Sequence, residues 1–230
     1  MKYLINSRIK NVLRSSLSQN TYCPKSKNEL VDIIRELFDN GIYDLNCINT
    51  EYIDDMAHLF ENIDYIDAME EYIDVSEWNV SNVEITSELF ANMTNFNCDL
   101  SKWDISNIEY ANYMFYNCIN FNSDLSNWRF DNLKDGACML YNCRLFNSNV
   151  SKWNMSCCQN AAGMFLGCHN FTGDGLDFWD VSEVDFFTQI FYNCTKLNCN
   201  LENWKVKPGI SNYNMFGKCL SMKKLPSWYK

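Results

Sequence analysis

Hydrophobic residues recur along most of this chain in one repeated pattern. The stretch NCDLSKWDISNIEYANYMFYNCINF, residues 97–121, is followed at once by NSDLSNWRFDNLKDGACMLYNCRLF. Seven tryptophans at nearly equal spacing mark the register: Trp78, Trp103, Trp128, Trp153, Trp179, Trp204 and Trp228. A fixed period of this length indicates an array of stacked units that share one core.

Within each unit, positions can be counted from its tryptophan. An aliphatic residue stands three before it, apolar residues stand two and five after it, an apolar pair stands eleven and twelve after it, and a Phe usually stands eighteen after it. The first half, around DLSKWDISNI, suggests period-two alternation and predicts a short strand. The second half has apolar residues three and four apart and predicts a short helix or 3₁₀ turn. We therefore expect an α/β, leucine-rich-repeat-like solenoid of about seven coils.

One earlier unit is legible although it lacks the tryptophan. Ile48 takes the place of Trp in the frame DLNCI, and the distance from Ile48 to Trp78 is longer than one period. The pattern therefore predicts a bulged loop of extra residues at 64–71.

The segment before the repeats predicts a helical cap for the first coil. Ser26 and Glu29 have capping-box spacing, a helix is expected over 27–40, and Gly41 is a natural stop. Apolar residues at helical spacing give this helix one face with which to cover the core.

Charge divides the chain into three parts. The net charge is −10, from 19 Lys and Arg against 29 Asp and Glu. Residues 1–27 carry +6, the middle carries −22, and the part after Trp204 carries +6. An acidic middle argues against binding along a nucleic-acid backbone, which requires a basic face. Basic ends on an acidic body suggest docking to a protein partner or to a copy of itself, although ordinary soluble surface charge is an equal alternative.

The basic N-terminus predicts a docking arm. A second, weaker helix is expected over 3–18, with apolar residues on one side and candidate docking residues on the other: Arg8, Lys10 and Arg14. A membrane-surface helix is the alternative. The expected domains are an arm and capping helix over 1–42 and a repeat domain over 43–230. No apolar run is long enough for a membrane span, and no signal peptide is recognisable.

These residues resemble a known repeat family. DLSKWDISNIEYANYMFYNCINFNSDLSNW is similar to the 25-residue repeat of BspA-type leucine-rich-repeat surface proteins, whose consensus is close to FNxDLSxWDVSNVxxMxxMFxxCxxFNxDLSxW. The resemblance covers about residues 22–228. It implies a leucine-rich-repeat-like fold used for adhesion or protein binding, with no catalytic residues to carry over. Similar repeats occur in bacterial surface proteins, mycoplasma lipoproteins and proteins of bacteriophages and large viruses.

A cysteine at the fifteenth position after the tryptophan recurs in five successive units: Cys118, Cys143, Cys168, Cys194 and Cys219. Such a column, called the cysteine ladder below with each cysteine as one rung, could bind metal. Thiols roughly 4.8 Å apart in one row, however, cannot surround an ion tetrahedrally. Met93 fills the equivalent place in the Trp78 unit, so we predict that the column packs the core as reduced thiols. Disulfides between neighbouring rungs remain open on distance alone. The tryptophan and cysteine ladders are thus structural candidates, and no cofactor is expected.

An acidic column stands four positions before the tryptophan, in Asp74, Asp99 and Asp124. These carboxylates could hold a cation between rungs or accept backbone N–H bonds in turns. The two histidines, His58 and His169, have no nucleophile in a catalytic arrangement, and we expect no enzyme activity.

The sequence therefore predicts a non-enzymatic structural or protein-binding repeat protein. The first hypothesis is a virion component of a phage or virus, held by its basic arm within a larger particle or by self-assembly, with a virion or cytoplasmic location. The alternative is a bacterial cell-surface adhesin or host-interaction protein.

Overall fold

Helix α1, Lys27–Asp39, is the first helix in the described part of the chain. The structure is a computed structural model that describes residues 22–61, 63 and 72–229. Ser26 is the N-cap of α1, and its side chain accepts a hydrogen bond from the backbone N–H of Glu29 at 3.3 Å. Ser at the N-cap satisfies one of the end amides that a helix leaves without a partner. The predicted helix over 27–40 is confirmed to within one residue.

The C-terminal end of α1 turns the chain into the repeats. Gly41 adopts φ 70°, a left-handed conformation that glycine accepts without strain. The Ile42 N–H then donates to the Leu37 carbonyl at 2.9 Å, which closes the helix in a Schellman motif. Leu30, Ile34 and Leu37 are buried in the same core cluster as the repeats, so α1 covers the first coil.

The fold class expected for the repeats is wrong. The complete helices in the described part of the chain are α1 and the 3₁₀ helix Leu176–Phe178, and residues pair there through isolated parallel bridges instead of strands. The coils are therefore not strand-plus-helix units of an α/β leucine-rich-repeat-like solenoid. They are successive tight turns that lie on one another.

The turns explain why the first half of each unit is not a strand. The Trp103 N–H donates to the Leu100 carbonyl, and the Ile108 N–H donates to the Ile105 carbonyl, both at 3.1 Å. Both of these turns bury their first and fourth residues and leave the two between them partly or fully exposed. Residues three apart lie on opposite faces of a strand. The buried apolar residues Leu100, Trp103, Ile105 and Ile108 are three, two and three positions apart. This spacing does not fit a strand and does fit two successive turns.

Left-handed residues explain why the second half is not a helix. Tyr113 and Asn117 have φ of 59° and 60°, and a helix cannot continue through such residues. The same two places, ten and fourteen after the tryptophan, are left-handed in every coil from Trp78 to Trp204. Asn or Gly occupies the second place in most coils, and these residues tolerate the conformation best.

Backbone hydrogen bonds join neighbouring coils in this second half. Alternate amides, at positions eight, ten, twelve and fourteen, donate to carbonyls of the following coil. Between the Trp103 and Trp128 coils the four bonds, at 2.8–2.9 Å, join Ala111 to Asp135, Tyr113 to Ala137, Phe115 to Met139, and Asn117 to Tyr141. Most of the amides between them bond three positions back within their own coil. The peptide groups of this segment are thus satisfied partly by partners that lie almost one full coil away along the chain.

Every tryptophan also links its coil to the one before. The Trp128 indole Nε1 donates to the Leu100 carbonyl at 3.0 Å, and the other six indoles make the equivalent bond at 2.7–3.1 Å. The rings of Trp128 and Trp153 stack with centroids 6.4 Å apart, and later neighbours stack at 6.1 Å. The tryptophan ladder is therefore a continuous stack as well as a series of bonds between coils.

The register read from the sequence holds at both irregular places. Asp55 pairs with Ile85 in the same way as later coils pair, so Ile48 does occupy the tryptophan position. The longer unit before Trp179 places its 3₁₀ helix after Gly175, where φ is 94° and a Cβ would lie 2.3 Å from the Ser151 nitrogen. The extra loop predicted at 64–71 lies outside the described residues.

Substituting Trp128 by Phe should lower the free energy of unfolding by about 1–3 kcal/mol, because it removes one buried hydrogen bond and leaves part of the indole volume empty. Trp128→Ala should cost about 3–5 kcal/mol, as other large core truncations do. Urea denaturation followed by circular dichroism measures both. Phe178→Ala, at a side chain that is 73% exposed, is the control and should be nearly neutral. A Trp128→Phe protein as stable as wild type would contradict a role for the indole bond.

Candidate binding surface

The predicted tryptophan ladder lies in the core. All six residues of the ladder from Trp78 to Trp204 are at most 5% exposed and point away from solvent. Their indoles are occupied by the bonds to the preceding coil. They position the outer surface and do not form part of it.

The cysteine ladder is buried as well, and it has a role that the sequence reasoning missed. The Cys143 Sγ donates to the Phe115 carbonyl at 3.1 Å, and all five rungs make this bond to the preceding coil at 2.9–3.1 Å. A thiol is a weak donor, which a purely apolar residue of similar size is not. The ladder therefore ties coils together at a second place, separate from the tryptophan bonds.

All twelve cysteines are free thiols, and they differ in how far they are exposed to solvent. Burial raises the pKa of the Cys143 thiol well above its usual value, and it raises the pKa of Cys158 to about 12. Partial burial raises the pKa of Cys98 to about 12 in the same way. Cys23 and Cys157 are exposed. Buried protonated thiols are poor nucleophiles and poor metal ligands.

The acidic column serves the turns. The Asp99 carboxylate accepts a hydrogen bond from the Ser101 N–H at 3.0 Å, and Asp124 accepts one from Ser126 at 2.9 Å. These bonds from the backbone hold the pKa of both carboxyl groups below their ordinary value. Within 22–61, 63 and 72–229, no three His, Cys, Asp or Glu side chains are grouped in a way that could hold a metal ion.

The two histidines lie in separate polar contacts. His58 Nδ1 is 3.1 Å from the Glu61 carboxylate and 3.6 Å from that of Glu88. His169 Nε2 is 3.0 Å from the Asn193 side-chain nitrogen, and its pKa is lowered by burial and by nearby Arg144. Neither contact brings a nucleophile to the ring.

The predicted docking residues cannot be placed on any surface of the fold. Arg8, Lys10 and Arg14 lie outside the described residues, as does the helix expected over 3–18.

The most distinctive outer surface is aromatic. We define the tyrosine face as the outward side chains at positions six to thirteen of the Trp78, Trp103 and Trp128 coils. Its aromatic members are Tyr110, Tyr113, Tyr116 and Tyr141. Tyr116 stacks on Tyr141 with centroids 4.6 Å apart, and Tyr113 meets Tyr116 edge-on at 5.5 Å. Tyr110 and Tyr113 are 39% and 38% exposed.

The backbone beneath these rings is fixed from both sides. The Tyr113 N–H donates to the Ala137 carbonyl in the following coil at 2.9 Å, and the Tyr110 carbonyl accepts from the Thr86 N–H in the preceding one at 2.8 Å. Tyr113 is also one of the left-handed residues, which sets the direction of its side chain. The rings are therefore presented by a backbone that is hydrogen-bonded in register.

Acidic side chains border the rings. Glu84 and Glu109 stand at position six of neighbouring coils, and Glu88 stands at position ten, in register with Tyr113. Lys134 is the lysine on this face, and its Nζ is 2.6 Å from a Glu109 carboxylate oxygen. The tyrosine face thus combines exposed rings with an excess of negative charge.

The repeated pattern does not predict this face. The signal was the tyrosines at positions seven, ten and thirteen, which vary between coils and so do not belong to the repeated pattern. In the structure Tyr113 contacts Tyr116 and lies near Asp135, which pairs with Tyr110 in the neighbouring coil, so these positions lie together.

Comparison with known proteins places the chain in a family. Residues 32–144 and 137–228 match the family described as Mycoplasma protein of unknown function, DUF285. These matches span most of the chain, so the protein belongs to this BspA-like repeat family, and the resemblance seen in the sequence is confirmed at that level. No curated protein and no solved structure matches the chain. In the described part of the chain, no helix has the length and apolar character needed to cross a membrane.

Iodoacetamide at pH 7.5–9.5 should alkylate Cys23 and Cys157 quickly in the native protein and leave Cys143, Cys158 and Cys168 unlabelled. The buried thiols stay protonated over this range because burial raises their pKa, and reagent cannot reach them. Peptide mass spectrometry measures each site, and labelling in urea gives the full count. Rapid native labelling of Cys143 would show that the ladder is open to solvent.

Proposed function

We propose that this protein is a non-enzymatic, protein-binding repeat protein whose contact surface is the tyrosine face. The observation that carries the proposal is the cluster of partly exposed tyrosine rings on a backbone fixed by hydrogen bonds between coils. Tyrosine is enriched at protein interfaces and among the residues that dominate binding energy.

Rigidity adds to the support for binding. A side chain that is already ordered loses little conformational freedom when a partner arrives, so more of the contact energy appears as affinity. Tyr116 and Tyr141 hold each other by stacking, and the Tyr113 side chain is hydrogen-bonded to Cys138. The face therefore has the preorganisation that a recognition surface needs.

A double substitution of Tyr113 and Tyr116 by Ser should abolish partner capture. The test is a native pull-down with mass spectrometry, using full-length tagged protein and extract from cells or particles in which the protein occurs. Wild type and the control Phe178→Ser should recover the same partner, because Phe178 is an exposed aromatic residue one position before Trp179 and outside the tyrosine face. Near-UV circular dichroism checks that both variants are folded. Equal recovery by the double variant would overturn the proposal.

We further propose that the protein is a component of a phage or virus particle. Its basic N-terminal arm would attach the acidic repeat domain to that particle. Support comes from the +6 charge of residues 1–27 beside a middle region of −22, a contrast that favours electrostatic docking. A bacterial cell surface, where the protein would act as an adhesin, is the alternative, and the family resemblance to surface proteins supports it.

Purified particles should contain the protein at a fixed copy number, and the triple variant Arg8→Glu, Lys10→Glu, Arg14→Glu should be incorporated poorly because the arm then repels an acidic acceptor. Quantitative mass spectrometry of gradient-purified particles measures both quantities.

The matched control for the arm variant carries the same charge change on the repeat body. Lys102→Glu with Lys152→Glu and Lys196→Glu alters three exposed lysines there and should leave incorporation unchanged. Equal loss from both triple variants would show that net charge, and not the arm, governs docking. Recovery of the protein from a membrane fraction with a processed N-terminus would instead favour the cell-surface alternative.

A further inference from the structure

We propose that the tyrosine face binds a basic peptide segment of its protein partner, with Arg or Lys side chains seated on the tyrosine rings and paired with the neighbouring carboxylates. The inference rests on the proposed function and names the chemistry of the partner. It follows from how this chain already holds its own lysines.

Lys134 shows the binding mode within the molecule. Its Nζ lies 5.8 Å from the centroid of the Tyr110 ring and 2.6 Å from a Glu109 carboxylate oxygen. An ammonium group over an aromatic face is attracted by the negative charge of the ring face, and a carboxylate at its side completes the contact. One cation is thus held by a ring and an acid that belong to adjacent residues.

The same preference appears elsewhere in the chain. Lys25 Nζ lies 3.1 Å from the centroid of the Tyr52 ring, and Lys218 Nζ lies 5.3 Å from that of Tyr192. Surface tyrosines of this protein therefore attract cations at separate places along the repeat.

On the tyrosine face, rings and acids outnumber the cation that they hold. Glu84 forms no ion pair within 4.0 Å with any described residue, and the ionisable contact of Glu88 is with His58 at 3.6 Å. Tyr113 and Tyr116 have no described lysine or arginine over their rings. Glu84 and the rings of Tyr113 and Tyr116 thus hold no lysine or arginine at contact distance among the described residues, and Glu88 contacts only a histidine.

Charge selects against other partners. Glu84, Glu88, Glu109 and Asp135 face one lysine on this surface, and the middle of the chain carries −22 overall. An acidic segment or a nucleic-acid backbone would meet repulsion here, whereas a basic segment meets attraction and stackable rings. Arginine suits such a site especially well because its planar guanidinium stacks on rings and pairs with carboxylates at once.

The test is titration of a fluorescein-labelled peptide of alternating Arg and Gly with the full-length protein, read by fluorescence anisotropy at two salt concentrations. We expect binding that weakens with salt and is lost when Arg is replaced by Glu. Tyr113→Leu with Tyr116→Leu should weaken binding several-fold, because each exposed cation–π contact is worth a factor of about two to five in affinity. Leucine keeps apolar bulk and removes the ring, so only recognition that uses the ring face is affected.

Two further variants separate local recognition from net charge. Glu84→Gln with Glu88→Gln should weaken binding, and Asp174→Asn with Asp177→Asn, which removes the same charge at a distant turn, should not. Equal losses from both pairs, or no loss from the Leu variants, would overturn the inference.

The outcomes also separate this inference from the proposed function. If the basic peptide fails to bind while partner capture still depends on Tyr113 and Tyr116, the partner chemistry is wrong and the proposed function stands. If capture is independent of these tyrosines, the proposed function itself falls.

Discussion

The bond from each tryptophan indole to a carbonyl of the preceding coil is the interaction on which this structure depends. It places a large ring in the core and fixes its height and direction, because the Nε1–H bonds one particular carbonyl, such as that of Leu100 for Trp128. A buried polar group must find a partner, and here the partner always belongs to the neighbouring unit. The thiol bonds of Cys118 and its equivalents repeat this logic at another place in the coil. Because these bonds cross between coils, each coil depends for its stability on the coils next to it.

This dependence links the core to the outer surface. Because the coils stack in register, a residue at a given position lies beside its counterpart in the next coil, which is why Tyr116 meets Tyr141. Within the chain, the core positions change little from coil to coil and the outer positions change freely. Aromatic and acidic residues have gathered on one side of three coils. The proposed binding of a basic protein segment uses the part of the repeat that is free to change.

The sequence predicted the helix α1, the register with Ile48 in place of tryptophan, and the burial of nearly every apolar position. It led to the wrong conformation for the coil, and the reason is local. The place ten after the tryptophan is left-handed in Tyr113, Cys138 and Gln189, none of which favours that conformation by itself. These residues adopt it because their amides donate across to the next coil. The tyrosine face was missed because its rings and acids come from different coils and vary between them, so only the stacking of coils brings Tyr116 to Tyr141 and Lys134 to Tyr110.

What the sequence by itself determined is the period, the membership of a repeat family and the identity of the core residues, because these follow from which side chains avoid water. What only the tertiary structure decided is the path of the backbone within each coil and the surface that it presents. Asn117, for example, could cap a turn or end a helix on its own. Its left-handed conformation is set by the bond from its amide to the Tyr141 carbonyl in the next coil. A peptide group whose partner lies in another coil cannot be assigned from its nearest neighbours along the chain alone.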